Sequence, residues 1–396
     1  MELPGKQSVP EVMGKYRELI EAKRRRDELL HERNQLQKQI KDKESAQRVK
    51  QRMTDLKSDI KRGEDNVESL EEPVMEAIES IPNEIDPAVV QLDDVVEVDR
   101  LNPDAFVPKD EKRDHMAVAE RLGGLVDFGS GSQVSGTSWY YLLENGALLE
   151  MALVQYAISK ARARGWRLVV PPAAVRPTVA NACGFKPRDQ NGEQQIYSVG
   201  DSLCLAGTAE IPLAGLGLQK TLETLPERVV GVSRAYRAEA GARGRDTKGL
   251  YRVHEFTKVE LFAWCHPEKS EKMLDEILGL QKEIVRELGL CARVLDMPPH
   301  ELGAPASRKY DIEAWMPGRG DWGEISSASN CLSFQSRRLH TKCDDGQFAH
   351  TLNGTAMAVP RMMVAIIENY YNPDTNTIQI PTPLRKYLDM SHIHPV

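Results

Sequence analysis

The stretch Ser233–Phe262, SRAYRAEAGARGRDTKGLYRVHEFTKVELF, carries the densest chemistry in the chain. It places Arg237 and Glu239 two apart, then a Gly/Arg-rich loop, then Phe256, Lys258 and Glu260 two apart again. Strand side chains two residues apart share a face. With strands at both ends the segment is a hairpin, one face of which gathers cations, acids and an aromatic ring. A hairpin that only packed would bury apolar residues there. This one suits a small, highly charged ligand with a flat ring.

Outward from the hairpin, the chain has 396 residues, 41% of them hydrophobic, enough for a sizeable core and two or three domains. Its net charge of −7 argues against a generally basic nucleic-acid coat but leaves room for a local basic patch. No apolar run approaches the roughly 20 residues of a membrane span, so no membrane partner is expected. The N-terminus, MELPGKQSVPEV, lacks the apolar core of a secretory signal and is not Arg/Ser-rich enough for a transit peptide. Cys183, Cys204, Cys265, Cys291, Cys331 and Cys343 include no CxxC pair and no zinc-finger spacing, as expected of reduced cysteines in a cytosolic or organellar enzyme.

Residues 9–81 read as two long helices turning near Lys41–Glu44. In the second, Ala46, Val49, Met53, Leu56, Ile60, Gly63, Val67, Leu70, Val74, Ala77 and Ile81 alternate in steps of three and four, a heptad seam with one weak position at Gly63. Pro73 is expected to kink or restart that helix. The first helix offers a poorer seam: Val9, Val12, Tyr16, Leu19, Leu30, Leu36 and Ile40. An antiparallel hairpin of this kind projects from a protein rather than building a core. Arg24, Arg25, Arg26, Arg33, Lys38, Lys41, Lys43, Arg48 and Lys50 crowd it. They read either as a solvated surface of mixed charge or as a surface for a phosphate backbone. The local basic excess within an acidic chain favours the second.

The organisation expected is therefore an arm at 1–82, a Pro/Asp-rich linker at 83–112 and a mixed catalytic domain at 113–396. Within the last, Leu142–Ala163 and Ser270–Leu288 read as amphipathic helices, Trp166–Val170 as a strand, and Met363–Tyr370 as an apolar helix entered through Pro360.

Further segments agree with the hairpin: LAGTAE at Leu205–Glu210, EISSASN at Glu324–Asn330, and TLNGTA at Thr351–Ala356 running into Val359-Pro360-Arg361. Together with the helical arm, the set resembles the seryl-tRNA synthetases of class II over nearly the whole chain. The resemblance implies an α+β fold, an antiparallel sheet flanked by helices with an N-terminal antiparallel coiled-coil arm, acting as a homodimer through Leu142–Pro172. It implies activation of L-serine with ATP and Mg²⁺, then transfer of the seryl group to the 3′ end of tRNA(Ser).

It also implies residue roles. Arg237 would grip the α-phosphate and the serine carboxylate, and Arg361 the γ-phosphate; forked guanidinium groups suit both. Glu239 would accept from the adenine amino group, with Ala238 beside it in the ATP site, and Val253, His254, Glu255 and Phe256 would lie under the ring, Phe256 as stacking platform. Glu324, Ile325, Ser326 and Ser327 would complete the ATP site, with Glu324 and Ser327 holding Mg²⁺. Thr208, Ala209, Glu210, Glu260, Asn330 and Thr355 would bind serine, Glu210 taking the ammonium and Glu260 the hydroxyl.

The run Ala182–Tyr197 is most similar to fungal mitochondrial members, which points to the mitochondrial matrix, with the cytoplasm as the alternative. The chain also starts close to its first helix, as a trimmed or mature organellar form would. Two other readings share the catalytic motifs. A paralogue that charges a carrier protein would lack the long arm. A degenerate tRNA-binding or structural dimer would have lost Arg237, Glu239 or Arg361.

Overall fold

In the computed structural model the described residues are 9–40, 43–79, 81–185, 195–239 and 249–396. The Gly/Arg-rich loop at 240–248 and the centre of the 182–197 run lie outside them, as do Lys41 and the side chains of Lys43 and Arg48. The chain divides into two compact units, up to Pro82 and from Asn83 onward.

The first unit is a pair of packed helices, α1 (Val9–Gln39) and α2 (Lys43–Glu79). The expected seam of α2 is buried at Leu56, Ile60, Val67, Val74 and Ala77. On α1 the seam differs from expectation. Val12, Leu19 and Ala22 are buried, whereas Val9, Tyr16 and Ile40 are exposed. Gly63 is weak for a reason: its open space takes Arg26, whose Cβ lies 3.6 Å from where a β-carbon would stand. Pro73 does not restart α2, which runs on to Glu79.

The second unit is built on eight strands: β1 (Val96–Leu101), β2 (Arg167–Val169), β3 (Glu227–Tyr236), β4 (Glu255–Cys265), β5 (Ala292–Asp296), β6 (Arg308–Met316), β7 (Asp321–Asn330) and β8 (His350–Ala358). Their order is β1-β5-β6-β7-β8-β4-β3-β2, antiparallel throughout except the parallel β2–β3 edge. The linker expected at 83–112 needs correction, because β1 lies within it and pairs with β5. Val96 and Val98 alternate with Glu97 and Asp99, but the run is short, sits among Pro and Asp residues, and buries only Leu101, so it reads as linker.

The helices α3 (His115–Leu122), α4 (Glu144–Ala163), α5 (Glu210–Ala214), α6 (Ser270–Glu287) and α7 (Val359–Tyr370) complete the frame used below. Strand β4 shows how the layers divide. Val259, Leu261 and Ala263 join the main core with α4, α6 and α7. Phe262 and Trp264, pointing the other way, join a second core with Ile211 and Leu213 of α5. The face of Phe262 also carries Phe256, Lys258 and Glu260, so the site lies in line with that second core.

Candidate active site

The hairpin forms as expected: β3 and β4 pair with Ser233 opposite Lys258 and Gly231 opposite Glu260. One part of the reasoning needs correction. Strand β3 ends at Tyr236, so Arg237 and Glu239 are not strand residues sharing a face. Glu239 has a left-handed φ of +49° and turns its carboxylate to Arg252 Nη1 at 2.9 Å. Arg237 is held by three bonds: its backbone N–H donates to the His254 carbonyl (2.9 Å), its Nε donates to the Gly207 carbonyl (3.1 Å), and its own carbonyl lies 3.1 Å from His254 Nδ1.

These residues open onto one shared cavity. Arg237, Glu239, Val253, Phe256, Glu324, Ile325, Ser326, Ser327, Thr355 and Arg361 all line it. Arg237 sits 5.4 Å from the Phe256 ring centroid. Arg361 enters from the first turn of α7. It is ion-paired with Glu324 Oε2 at 3.1 Å, and its Nε donates to the Tyr251 carbonyl at 3.3 Å. Burial would push the Glu324 carboxyl up, but the Arg361 and Lys309 cations outweigh it and hold the group below its ordinary value. Burial, then the charge of Arg361, lowers Arg237. This end of the site is a cationic cleft with one flat aromatic wall.

Glu324 and Ser327 offer a carboxylate and a hydroxyl, the hard oxygen donors that Mg²⁺ takes alongside phosphate oxygens. Close by, Asp311 stands opposite Ser327 across the β6–β7 pair. It is buried, its Oδ2 bonds Lys309, and its Oδ1 has no hydrogen-bond partner among the described residues. Burial and the charge of Glu324 push Asp311 up to about 6. An oxygen-rich corner with an unpaired carboxylate oxygen fits a hard divalent cation.

A second, enclosed group lies further along the same face of β4. Glu260 is 1% exposed, pairs across the sheet with Thr355, and makes an ion pair with Lys258 at 2.6 Å. Lys258 also donates to Thr208 Oγ1 at 3.0 Å. Glu210, first residue of α5, accepts from Gln335 Nε2 (2.6 Å) and Asn353 Nδ2 (2.9 Å). Helix α5 comes this close because Gly231 lacks a side chain: a β-carbon there would stand 2.7 Å from Leu213. Burial, then the like charge of Glu260, pushes Glu210 up to about 7; burial also raises Glu260, against the pull of Lys258. Two buried acids share one lysine, so the pocket is short of positive charge.

Not every expected residue faces the ligand space. His254 stacks on Trp139 at 5.8 Å, with its Nδ1 3.0 Å from the Tyr197 hydroxyl. Glu255 accepts from the Tyr236 hydroxyl. Ala238 bonds the Gln195 carbonyl through its backbone N–H. Asn330 is buried, but its Oδ1 closes the turn to Leu332; Asn353, not Asn330, reaches Glu210. Ala209 is wholly buried ahead of α5. Gln335 and Asn353 were missed, while Lys258 was visible on the hairpin face without a role. Leu250, Tyr251 and Arg252, which also line the cavity, carried no such signal.

Comparison with known proteins agrees with this layout. Residues 195–370 match the class II tRNA synthetase core domain of the G, H, P, S and T enzymes. Residues 5–85 match the seryl-tRNA synthetase N-terminal domain. The mitochondrial serine–tRNA ligase of Saccharomyces cerevisiae is 48% identical over 370 residues, covering 90% of this chain and 82% of that protein. The mitochondrial ligase of Schizosaccharomyces pombe is 52% identical over 295 residues, 71% of this chain and 60% of that protein. Seryl-tRNA synthetase from Pyrococcus horikoshii, solved with ATP, superposes with a TM-score of 0.81 at 33% identity, covering 98% of this chain and 93% of that one. An arm and a core that each match the same enzymes, with near-half identity to a yeast relative across most of both chains, settle the lineage: this protein belongs to the serine–tRNA ligases of class II, with mitochondrial enzymes among its relatives.

Proposed function

We propose that the two-ended site activates L-serine with ATP and passes the seryl group to tRNA(Ser) in the mitochondrial matrix. The observation that carries this reading is the pairing of a cationic cleft with an enclosed acidic pocket, joined by Lys258 and Thr355 on one sheet face. The cleft suits a triphosphate and a purine. The pocket suits a small ammonium compound with a hydroxyl.

In the first step a serine carboxylate oxygen attacks the α-phosphorus. The new O–P bond forms as the bond to the β-phosphate bridge breaks, and pyrophosphate leaves with the electron pair. Such a step needs positioning and charge neutralisation more than a protein base. Arg237 would hold the α-phosphate and the carboxylate, Arg361 the γ-phosphate, and Phe256 the adenine. Glu324 and Ser327 would hold Mg²⁺, with Asp311 behind them; the ion supplies neutralisation of phosphate charge. Glu210 would balance the ammonium and Glu260 accept from the serine hydroxyl. Rejecting alanine then follows, since it would leave a buried acceptor unpaired. In the second step the terminal ribose hydroxyl of tRNA attacks the carbonyl carbon, and AMP leaves.

The helical arm is assigned to tRNA. Arg24 and Arg25 on α1 and Arg62 on α2 pair with acids of their own helices, and Arg52 bridges to Glu32. Exposed pairs of this kind contribute little, at most about 1 kcal/mol each, so phosphates can displace the acids. A homodimer is supported by apolar residues left bare near the β2 edge: Leu148 and Met151 on α4, Leu168 on β2, and Val170, which is 81% exposed.

The test is one folded preparation lacking Tyr16–Leu70, assayed twice. Serine-dependent ATP–pyrophosphate exchange should persist. Charging of tRNA should collapse and tRNA binding lose its salt dependence. Normal charging without the arm would remove its tRNA role and reopen the carrier-protein reading. Absence of exchange in the full chain would refute the enzyme.

A further inference from the structure

Behind the ATP cavity lies a buried group with no part in the steps above. Glu368 is 0% exposed on α7, seven residues after Arg361 and so on the same helix face. Its Oε1 accepts from the backbone N–H of His115 (3.3 Å) and from His115 Nδ1 (3.0 Å). Its Oε2 accepts from the backbone N–H groups of Gly318 (2.8 Å) and Arg319 (3.1 Å). With Nδ1 donating to a carboxylate, Nε2 is the acceptor, and the Leu250 N–H donates to it at 3.3 Å.

Leu250 is where the segment returning from the hairpin loop enters the cavity wall. Just before it, Gly249 has a φ of +69°, and a β-carbon there would run into His115 Nε2. Just after it, the Tyr251 carbonyl accepts from Arg361 Nε. The Tyr251 ring has the guanidinium groups of Arg361 and Arg319 over it, 4.8 and 4.5 Å from its centroid. The contacts therefore close a ring: Glu368 to His115, His115 to Leu250, Tyr251 to Arg361, and back along α7.

Asp114, His115 and Glu368 have ligand atoms within 4.8 Å of one another, as a metal triad would. The four donors on Glu368, the Leu250 N–H on His115 and the α3 N–H groups on Asp114 already use those atoms. The group is a lock, not a metal site.

We propose that His115 and Glu368 are positioning residues for ATP. They fix the Leu250–Val253 wall against Arg361, so that the guanidinium and the adenine platform keep one spacing. Neither side chain lines the cavity. The proposal rests on reading that cavity as the ATP site.

The test compares His115→Asn, His115→Gln and Glu368→Gln with Arg361→Ala. Exchange is measured with ATP and serine varied separately, and binding of a non-hydrolysable ATP analogue by calorimetry. Asn retains a donor toward Glu368 but has no acceptor reaching Leu250. The longer Gln carries an amide oxygen toward the Nε2 position. His115→Asn and Glu368→Gln should raise the KM for ATP and the Kd of the analogue by about tenfold, as one unsatisfied buried group would. The KM for serine should move less than about twofold, and His115→Gln should recover part of the loss. Equal changes for both substrates, or an unchanged ATP KM in a folded variant, would overturn the lock; so would failure of all three to fold, which assigns the group to stability alone. If Arg361→Ala also leaves ATP use intact, the reading of the cavity fails instead.

Discussion

The two ends of the site use the same residue types with opposite balance. At the phosphate end Arg237, Arg252 and Arg361 outnumber two ion-paired carboxylates, Glu239 and Glu324, and Glu324 stays below its ordinary pKa. At the amino-acid end Glu210 and Glu260 share Lys258, and both rise. The first end has spare positive charge for a polyanion. The second has spare negative charge, withheld until a cation arrives. Polarity of a buried site is thus set by the local surplus of one charge rather than by which residues are present, and a bifunctional substrate pair can be sorted by it.

The largest effect that could break this comparison lies at the phosphate end. Arg237→Ala and Arg361→Ala should each lower exchange by about 10²–10³-fold, the scale of losing one preorganised donor to developing charge. Melting curves should show the variants folded. Near-normal exchange in both would remove the polyanion role.

At the other end, Glu260→Ala should weaken serine use by about 10²-fold, as expected for a lost charged hydrogen bond, and leave the KM for ATP nearly unchanged. The preference for serine over alanine should narrow. An unchanged serine/alanine ratio in exchange would mean that Glu260 does not read the hydroxyl.

Glu210 sharpens the comparison through pH. Its folded pKa of about 7 lies above the 4.5 of an unperturbed glutamate. Between those values the folded chain binds more protons than the unfolded one, so this group's contribution to stability falls as pH rises from 4.5 to 7. Glu210→Gln should therefore melt higher than the parent at pH 8, by on the order of 3 kcal/mol, with the gap closing toward pH 4.5. In the parent, the KM for serine should rise as pH drops below 7, because a protonated Glu210 cannot balance the ammonium. A pH-independent gap in melting would show that folding does not raise the pKa of Glu210.

The smallest effect concerns the rim. Glu239 pairs with the partly exposed Arg252, and such pairs contribute little. Arg252→Ala should shift the KM for ATP by less than about threefold. A larger change would move Arg252 from the rim of the phosphate end to its centre.

Much of this was legible in sequence, for reasons that differ by residue. Phe256, Lys258 and Glu260 were visible because period-two spacing survives in a regular strand. Glu255 is an odd position on a strand whose even positions carry the site, so the same period argued against it. Glu239 misled because β3 ends three residues before it and its φ is positive. Gln335 and Asn353 could not be found from spacing, since they reach Glu210 from 125 and 143 residues away. Strand β1 hid because an edge strand with one buried residue reads as a linker. Arg26 hid because a seam cation opposite Gly63 looks like surface charge.

The most direct test of the central claim is serine-dependent ATP–pyrophosphate exchange in the parent, Glu260→Ala and Arg361→Ala, with both substrates varied in full. The account predicts exchange in the parent, a serine-specific KM defect in Glu260→Ala and an ATP-specific defect in Arg361→Ala. The same mixed defect for both substrates in both variants would contradict a site divided into ends of opposite charge.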